Sequence, residues 1–456
     1  MHNLIKTQLS KCKYLFVLIL FTCSNNDDSV TTNPPDGNGQ LPVAVNDAYN
    51  ALEDTELLIS TLLQNDTIVN NARITSINET TTNNGMVEDN RNGTYSYYPA
   101  AGFVGVDTFN YTICDTENSP NCSFATVTLM VEDEGSPTAN DDQYQTVENN
   151  SITINSVLEN DTLTDDASIF SVDNTNTFGI VELTNGEIIY TPANGFLGND
   201  TFTYTICDDD SPDATCSIAT VTVEVLEALT FNIPAELMDY YQDLTFSANA
   251  DLNYAELQDL TVTQHTTILS YGERHIYLYQ ADEDEGNTDN VILMYSGESR
   301  YWEEYTSNNN SYPTQTFNTE HVYPQSKLSS DDAVTDLHHL RSCDANVNEN
   351  RSNYSFVNGS GTYGLIDTNT WYPGDEWKGD VARMILYLNI RYQEVFNSVG
   401  TLELFLQWNV EDPVSSFEIQ RNNIIMGAQG NRNPFIDNPY LATLIWGGSP
   451  AENTWE

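Results

Sequence analysis

Residues Gly102-Phe103-Val104-Gly105-Val106-Asp107-Thr108-Phe109-Asn110-Tyr111-Thr112-Ile113-Cys114 return as Gly195-Phe196-Leu197-Gly198-Asn199-Asp200-Thr201-Phe202-Thr203-Tyr204-Thr205-Ile206-Cys207. Two shorter echoes accompany them. Val45-Asn46-Asp47 recurs as Ala139-Asn140-Asp141, and Asn65-Asp66-Thr67 recurs as Asn160-Asp161-Thr162. Asn46 and Asn140 are 94 positions apart, and Cys114 and Cys207 are 93 apart. Self-similarity at that period marks one sandwich-sized domain, repeated. The local pattern is strand. Thr108–Ile113 alternates in polarity, Ala125–Val131 alternates after it, and Asn, Asp, Gly and Pro clusters punctuate the runs. Two antiparallel β-sandwiches are therefore expected, over 42–134 and 135–228.

The cysteines fit that layout. Cys114 and Cys122 flank a turn in the first repeat, and Cys207 and Cys216 do so in the second. A hairpin brings each pair together, so two disulfides are expected, Cys114–Cys122 and Cys207–Cys216. Zinc is the weaker alternative, because two thiolates with no nearby His make a poor site. Asp47, Asp66 and Asp107, with their counterparts Asp141, Asp161 and Asp200, suit Ca²⁺ at the repeat junctions or serve as solvated turn carboxylates. Each repeat resembles the cadherin-like or immunoglobulin-like modules of bacterial surface proteins.

Upstream, Lys6, Lys11 and Lys13 precede an apolar run, Tyr14–Phe21, too short to span a bilayer as a mature helix. It ends at Leu20-Phe21-Thr22-Cys23, which resembles a bacterial lipoprotein processing site with Cys23 as the lipidated residue. The alternative is an ordinary secretory signal. Residues 24–41 are rich in Asn, Asp, Pro and Gly and suit a flexible tether. The expected location is outside the cytoplasm: an outer-membrane or cell-surface lipoprotein, or a secreted protein. Contact with the membrane would be through the lipid anchor only.

The 456 residues carry a formal net charge of −52, with 15 Lys and Arg against 67 Asp and Glu. Such a surface repels polyanions unless positive charge is gathered locally. Between Val43 and Ala228 only Arg73 and Arg91 are basic, whereas ten Lys and Arg and five of the six His lie beyond Leu229. Residues suited to phosphate and proton chemistry are concentrated there.

Three short runs in that region carry the chemistry. Phe317-Asn318-Thr319-Glu320-His321-Val322-Tyr323-Pro324-Gln325-Ser326 pairs a hard oxygen ligand with a general base. Asp336-Leu337-His338-His339-Leu340-Arg341 adds two His and an Arg. Asn346-Val347-Asn348-Glu349-Asn350-Arg351-Ser352-Asn353-Tyr354 offers neutral oxygen ligands beside an Arg. Phosphodiester hydrolysis needs a base for water, a divalent cation against developing charge, and cations for the non-bridging oxygens. One Glu and one Asn suit Mg²⁺, which keeps much of its water. Any one of these His or Asn residues taken alone is more simply structural, and the adjacent His338 and His339 point different ways.

In their order these runs resemble the endonuclease I family, whose members are secreted bacterial nucleases with a ββα-metal (His-Me) finger. The segments Gly379–Met384, Trp408–Ser415 and Gln429–Asp437 extend the resemblance. It implies that His321 is the general base, Glu320 and Asn348 hold Mg²⁺ or another divalent cation, and cleavage leaves 5′-phosphate and 3′-hydroxyl ends. Some relatives carry a transition-state Arg on a Cys-rich insertion. Only Lys327–Thr335 stands at that place here, so Arg341 is the substitute expectation. His338, His339 and Arg351 are supporting residues, and Asn353 rivals Asn348. Glu320 and His321 serve one centre only if the strand is irregular there, since neighbours on a regular strand face opposite sides.

The expected protein is thus multidomain: a signal peptide at 1–23, a linker at 24–41, two all-β sandwich repeats, and an α+β nuclease domain over 229–456 with a ββα-metal finger. It acts on extracellular DNA, with RNA as a second substrate, and needs no obligate protein partner. The alternative is a non-enzymatic adhesion lipoprotein with an inactive nuclease domain.

Overall fold

A computed structural model describes residues 40–210 and 213–456. The expected signal peptide, Cys23 and nearly all of the linker lie outside the described residues. Two compact units divide between Glu132 and Asp133. Among the described residues no helix is long and apolar enough to cross a membrane.

The first unit holds β1 (Asp47–Leu52), β2 (Leu57–Ile59), β3 (Arg73–Ile77), β4 (Met86–Asp89), β5 (Tyr95–Tyr98), β6 (Gly105–Cys114) and β7 (Cys122–Glu132). They form a four-stranded sheet in the order β1-β7-β6-β3 and a three-stranded sheet in the order β2-β5-β4. Alternation along β6 and β7 buries Phe109, Tyr111, Ile113, Val127, Leu129 and Val131 on one face. Ile59, Val87 and Tyr97 from the second sheet complete that core. This is a half-buried strand written as a period of two. β1 runs parallel to β7, so the sheets are mixed rather than purely antiparallel.

The second repeat repeats the plan with β8 (Asp142–Val147), β9 (Ile152–Ile154), β10 (Ser168–Asp173), β11 (Ile180–Thr184), β12 (Glu187–Thr191), β13 (Gly198–Cys207) and β14 (Cys216–Leu226). Cys114 stands directly opposite Cys122 in the β6–β7 register, and Cys207 opposite Cys216 in β13–β14; both pairs are disulfide-bonded.

The repeat carboxylates are taken by hydroxyl and amide donors. The Tyr111 hydroxyl donates to Asp66 and Asp47, and its counterpart Tyr204 to Asp161. Tyr97 donates to Asp107 and Tyr190 to Asp200, both buried carboxylates. Asp141 accepts from the Thr220 amide. Among the described residues none of the six belongs to a three-acid cluster. Of the two expectations for these residues, Ca²⁺ ligands or turn carboxylates, the contacts present are hydrogen bonds that close the sandwiches.

The second unit continues into α1 (Met238–Tyr241), α2 (Ala250–Thr263), α3 (Arg274–Ala281), β15 (Glu283–Asp284), β16 (Asn287–Ile292), β17 (Ser299–Tyr301), β18 (Phe317–His321), β19 (Leu340–Asp344), α4 (Ala345–Arg351), and then α5 (Lys378–Tyr392), α6 (Leu402–Glu411) and α7 (Ser416–Gln429). The core centres on α5, which is buried on nearly every face and packs Val381, Ile385 and Leu388 against Leu257, Phe405 and Trp408. β18 and β19 pair antiparallel as a separate two-stranded sheet beside it.

Candidate active site

The finger is β18, β19 and α4. The turn from β19 into α4 is set by Asp344, whose carboxylate accepts from the amides of Asn346 and Val347 at 2.9 and 3.0 Å, an N-cap that satisfies two orphan donors. The helix ends one residue after Arg351, where Ser352 takes a positive φ of 52°. Those two ends place Asn348 and Arg351, three apart, on the side facing β18.

Asn348 donates through Nδ2 to Asn318 Oδ1 (2.7 Å) and to the Thr319 carbonyl (3.1 Å). With the amide nitrogen committed, Oδ1 is the end left to act as a ligand. Glu320 is buried. Its Oε1 accepts from the Tyr295 hydroxyl at 2.9 Å and lies 3.2 Å from Arg351 Nε; Oε2 carries neither contact. Burial pushes the Glu320 carboxyl up to about 7, against the pull of Arg351 and Tyr295. A carboxylate oxygen and an amide oxygen, both hard donors, fit a divalent cation, and a cation would return Glu320 to its charged form. Arg351 also donates to the carbonyls of Tyr354 and Val322, so it stitches the finger to the following loop.

His321 is on the other face. The β18–β19 register runs unbroken from Phe317–Asp344 to His321–Leu340, so the irregularity at Glu320–His321 does not occur and the two side chains diverge. The ring donates Nε2–H to the Val334 carbonyl at 3.1 Å. A carbonyl only accepts, so that bond selects the tautomer and leaves the Nδ1 lone pair free. Burial, then the nearby His339 and the positive charge of Arg274, push the ring down to about 3. His321 is therefore neutral at ordinary pH, the form a base requires.

His338 and His339 are buried, as supporting residues would be. Each anchors to main chain through Nε2, to Asn431 and Ala333 respectively. Asn353 is exposed and lies beyond α4, away from the Asn318–Asn348 contact.

Arg341 is corrected. It is fully buried in the core, with Nε on Asp282 (3.0 Å), Nη1 on Asp380 (3.1 Å), and Trp377 and Phe417 rings beside it. Arg421 shares Asp282. The side chain shares a face with its register partner Glu320 but is closed off from solvent, and its charge is spent on a buried ion network.

Two contributors were not singled out from sequence. Tyr295 sits in no motif, yet its hydroxyl orients Glu320. Arg274, at the start of α3, borders a cleft of about 850 Å³ that Asn318 and Thr319 of β18 also line. Cys343 is buried and unpaired, as expected for a cysteine outside the repeats.

Comparison with known proteins identifies both parts of the chain. The Endonuclease I family model matches residues 255–440, and the bacterial Ig domain model matches 39–130 and 134–224. An extracellular ribonuclease of Bacillus amyloliquefaciens is 37% identical over 237 residues, 46% of this chain and 79% of the relative. An extracellular ribonuclease of Bacillus subtilis is 39% identical over 205 residues, 40% of this chain and 69% of the relative. An extracellular deoxyribonuclease of Aeromonas hydrophila is 33% identical over 112 residues, 22% of this chain and 49% of the relative. The alternative of an inactive adhesion protein is set aside on these matches together with the intact finger. With two bacterial Ig domains ahead of a region matched by the Endonuclease I model and by nuclease relatives, the chain belongs to the endonuclease I family and is an endonuclease.

Proposed function

We propose that the chain is an exported, divalent-cation-dependent endonuclease that hydrolyses phosphodiester bonds of extracellular DNA and RNA. The observation that carries this reading is the His321 ring, held neutral and bonded to Val334 so that Nδ1 is its basic atom. In this role Nδ1 takes a proton from water, the water oxygen bonds to phosphorus, and the bond from phosphorus to the 3′ oxygen breaks. The 3′ oxygen takes a proton from solvent and leaves as a hydroxyl, and the phosphate stays on the 5′ oxygen of the other fragment. Glu320 and Asn348 would hold the cation. When bound, it supplies positive charge opposite the charge that develops on phosphate and leaving oxygen.

Glu320 and His321 lie on opposite faces, but beyond Phe317, which bridges to Tyr305, β18 is paired only with β19. On its other edge the Thr319 carbonyl is held by Asn348, and a phosphate placed beside that contact would approach both faces. The ribonuclease names of the two Bacillus relatives support RNA beside DNA, and their extracellular naming supports export. Cys23 is the proposed lipid attachment point. The repeats would then hold the nuclease away from the membrane.

Incubating the purified chain with plasmid DNA and with RNA, in Mg²⁺ or in EDTA, tests the activity. Cleavage in Mg²⁺ that stops in EDTA is expected, with ends that ligate without prior phosphorylation. Cleavage insensitive to EDTA removes the metal role, and no cleavage of either polymer removes the function.

A further inference from the structure

The cleft beside the finger is built for more than the scissile bond. One wall is a run of rings. The His275 and Tyr279 centroids are 5.8 Å apart, Tyr279 lies 5.5 Å from Tyr305 and 6.4 Å from Trp302, and Tyr271 is 6.4 Å from His275. His275 Nδ1 is 3.0 Å from the Tyr279 hydroxyl, which locks two of these rings together. Trp302 is 40% exposed and Tyr271 57%, so large ring faces stay open to solvent.

Arg274 is set into this wall. It is 2% exposed and its guanidinium lies 3.4 Å from the centre of the Tyr271 ring. Nε and Nη1 make no hydrogen bond among the described residues. Six other arginines of the nuclease region, Arg300, Arg341, Arg351, Arg383, Arg421 and Arg432, each face a carboxylate, whereas Arg274 forms no such pair among the described residues. In a chain of net charge −52, an uncompensated buried guanidinium is conspicuous. Burying a charge without a partner is costly, and an arriving anion removes that cost. Arginine forks match phosphate oxygens, and aromatic faces match nucleobases. In a duplex the base faces are already stacked on one another, so only an unpaired base can lie on such a wall. The volume is within the ~300–1,000 Å³ of small-ligand sites.

We propose that this cleft is a subsite for an unpaired nucleotide of single-stranded nucleic acid, with Arg274 on a phosphate and the base on the Tyr271, Tyr305 and Trp302 rings. The subsite rests on the nuclease reading above and adds a preference to it: unpaired strands bind more tightly than duplex, fed along the cleft to β18 through Asn318 and Thr319.

The test uses the full chain carrying His321→Ala in EDTA, so binding is read without cleavage. A short fluorescein-labelled oligonucleotide is titrated by anisotropy, once single-stranded and once annealed to its complement. Adding Trp302→Ala, at an exposed position whose truncation spares the core, is expected to weaken single-strand binding about 5- to 150-fold, the equivalent of one stacked base at ~1–3 kcal/mol, and to weaken duplex binding much less. Trp302→Phe should recover most of the loss. Arg274→Gln should lower the salt dependence of single-strand binding by about 0.7 in log–log slope, one phosphate contact. Equal losses for both substrates, or no loss with Trp302→Ala, overturn the subsite. Failure of the nuclease reading looks different: the unsubstituted chain in Mg²⁺ cuts neither plasmid nor RNA, while a selective single-strand loss in the binding assay still supports the cleft.

Discussion

Replacing Arg341 by Met separates a core role from a catalytic one. The side chain is fully buried and bonds Asp282 and Asp380 at 3.0 and 3.1 Å. Met keeps most of the stem volume and removes the charge. Asp282 retains Arg421 and the Ser342 amide. Asp380 loses the partner to which it is bonded. Burial and neighbouring Glu418 already push its carboxyl up, with Arg341 and Arg383 pulling it back, so it becomes a neutral acid in a dry site. Breaking a buried pair in this way costs about 3–5 kcal/mol. At ~2–4 °C per kcal/mol for a domain of this size, the nuclease transition should fall by about 6–20 °C. The assay is differential scanning fluorimetry alongside kcat on a nucleic acid substrate, measured well below the lowered transition. The folded variant should keep kcat within about threefold, because no effect on the chemical step enters. An unchanged Tm with kcat down about a hundredfold or more would refute the core assignment and return Arg341 to the phosphate.

Three further outcomes are expected. His321→Ala should lower kcat by about 10²–10⁴-fold, the contribution of a positioned base, with an unchanged melting profile; near-normal turnover in the folded variant removes His321 from the mechanism. Without a cation Glu320 takes up a proton as pH falls through about 7, while His321 stays neutral to far lower pH, so Glu320 sets the acid limb of activity. Proton and cation then compete for one carboxylate, and tenfold more Mg²⁺ should move that limb about one pH unit lower; a limb indifferent to Mg²⁺ excludes Glu320 as a ligand. A protein beginning at Leu229 should keep most of its activity on short substrates and bind them more tightly at low salt, since the acidic repeats are gone. Folded but inactive protein would place part of the site in the repeats, of which the second touches the nuclease through pairs such as Asn150–Thr245.

Much of the fold was legible because it is written in local periodicity. Alternation in Thr108–Ile113 and Ala125–Val131 names β6 and β7, and the hairpin they form puts Cys114 opposite Cys122. The parallel pairing of β1 with β7 was not legible, since it joins segments nearly eighty residues apart and leaves no short-range pattern. Within the site, Glu320, His321 and Asn348 stood out because they sit in contiguous runs. Arg341 stood in such a run too, but Leu340, Arg341, Ser342 and Cys343 of β19 are all buried, and the groups that cover Arg341, Asp282 and Asp380, come from segments distant in the chain.

The sequence by itself determined the architecture and the inventory: two duplicated sandwiches, their disulfides, and a nuclease domain whose runs hold Glu320, His321 and Asn348. These follow from periods, spacings and residue chemistry that act over a few positions. Only the tertiary structure decided which groups are paired and which are free. It spends Arg341, Arg421 and Asp282 on one another, turns Glu320 and His321 to opposite faces of β18, fixes the His321 tautomer through the Val334 carbonyl, and leaves Arg274 without a carboxylate beside an aromatic cleft. Charge compensation and burial depend on partners far away in the chain, such as Asp282 for Arg341, and distance in space is the quantity that a linear pattern does not carry.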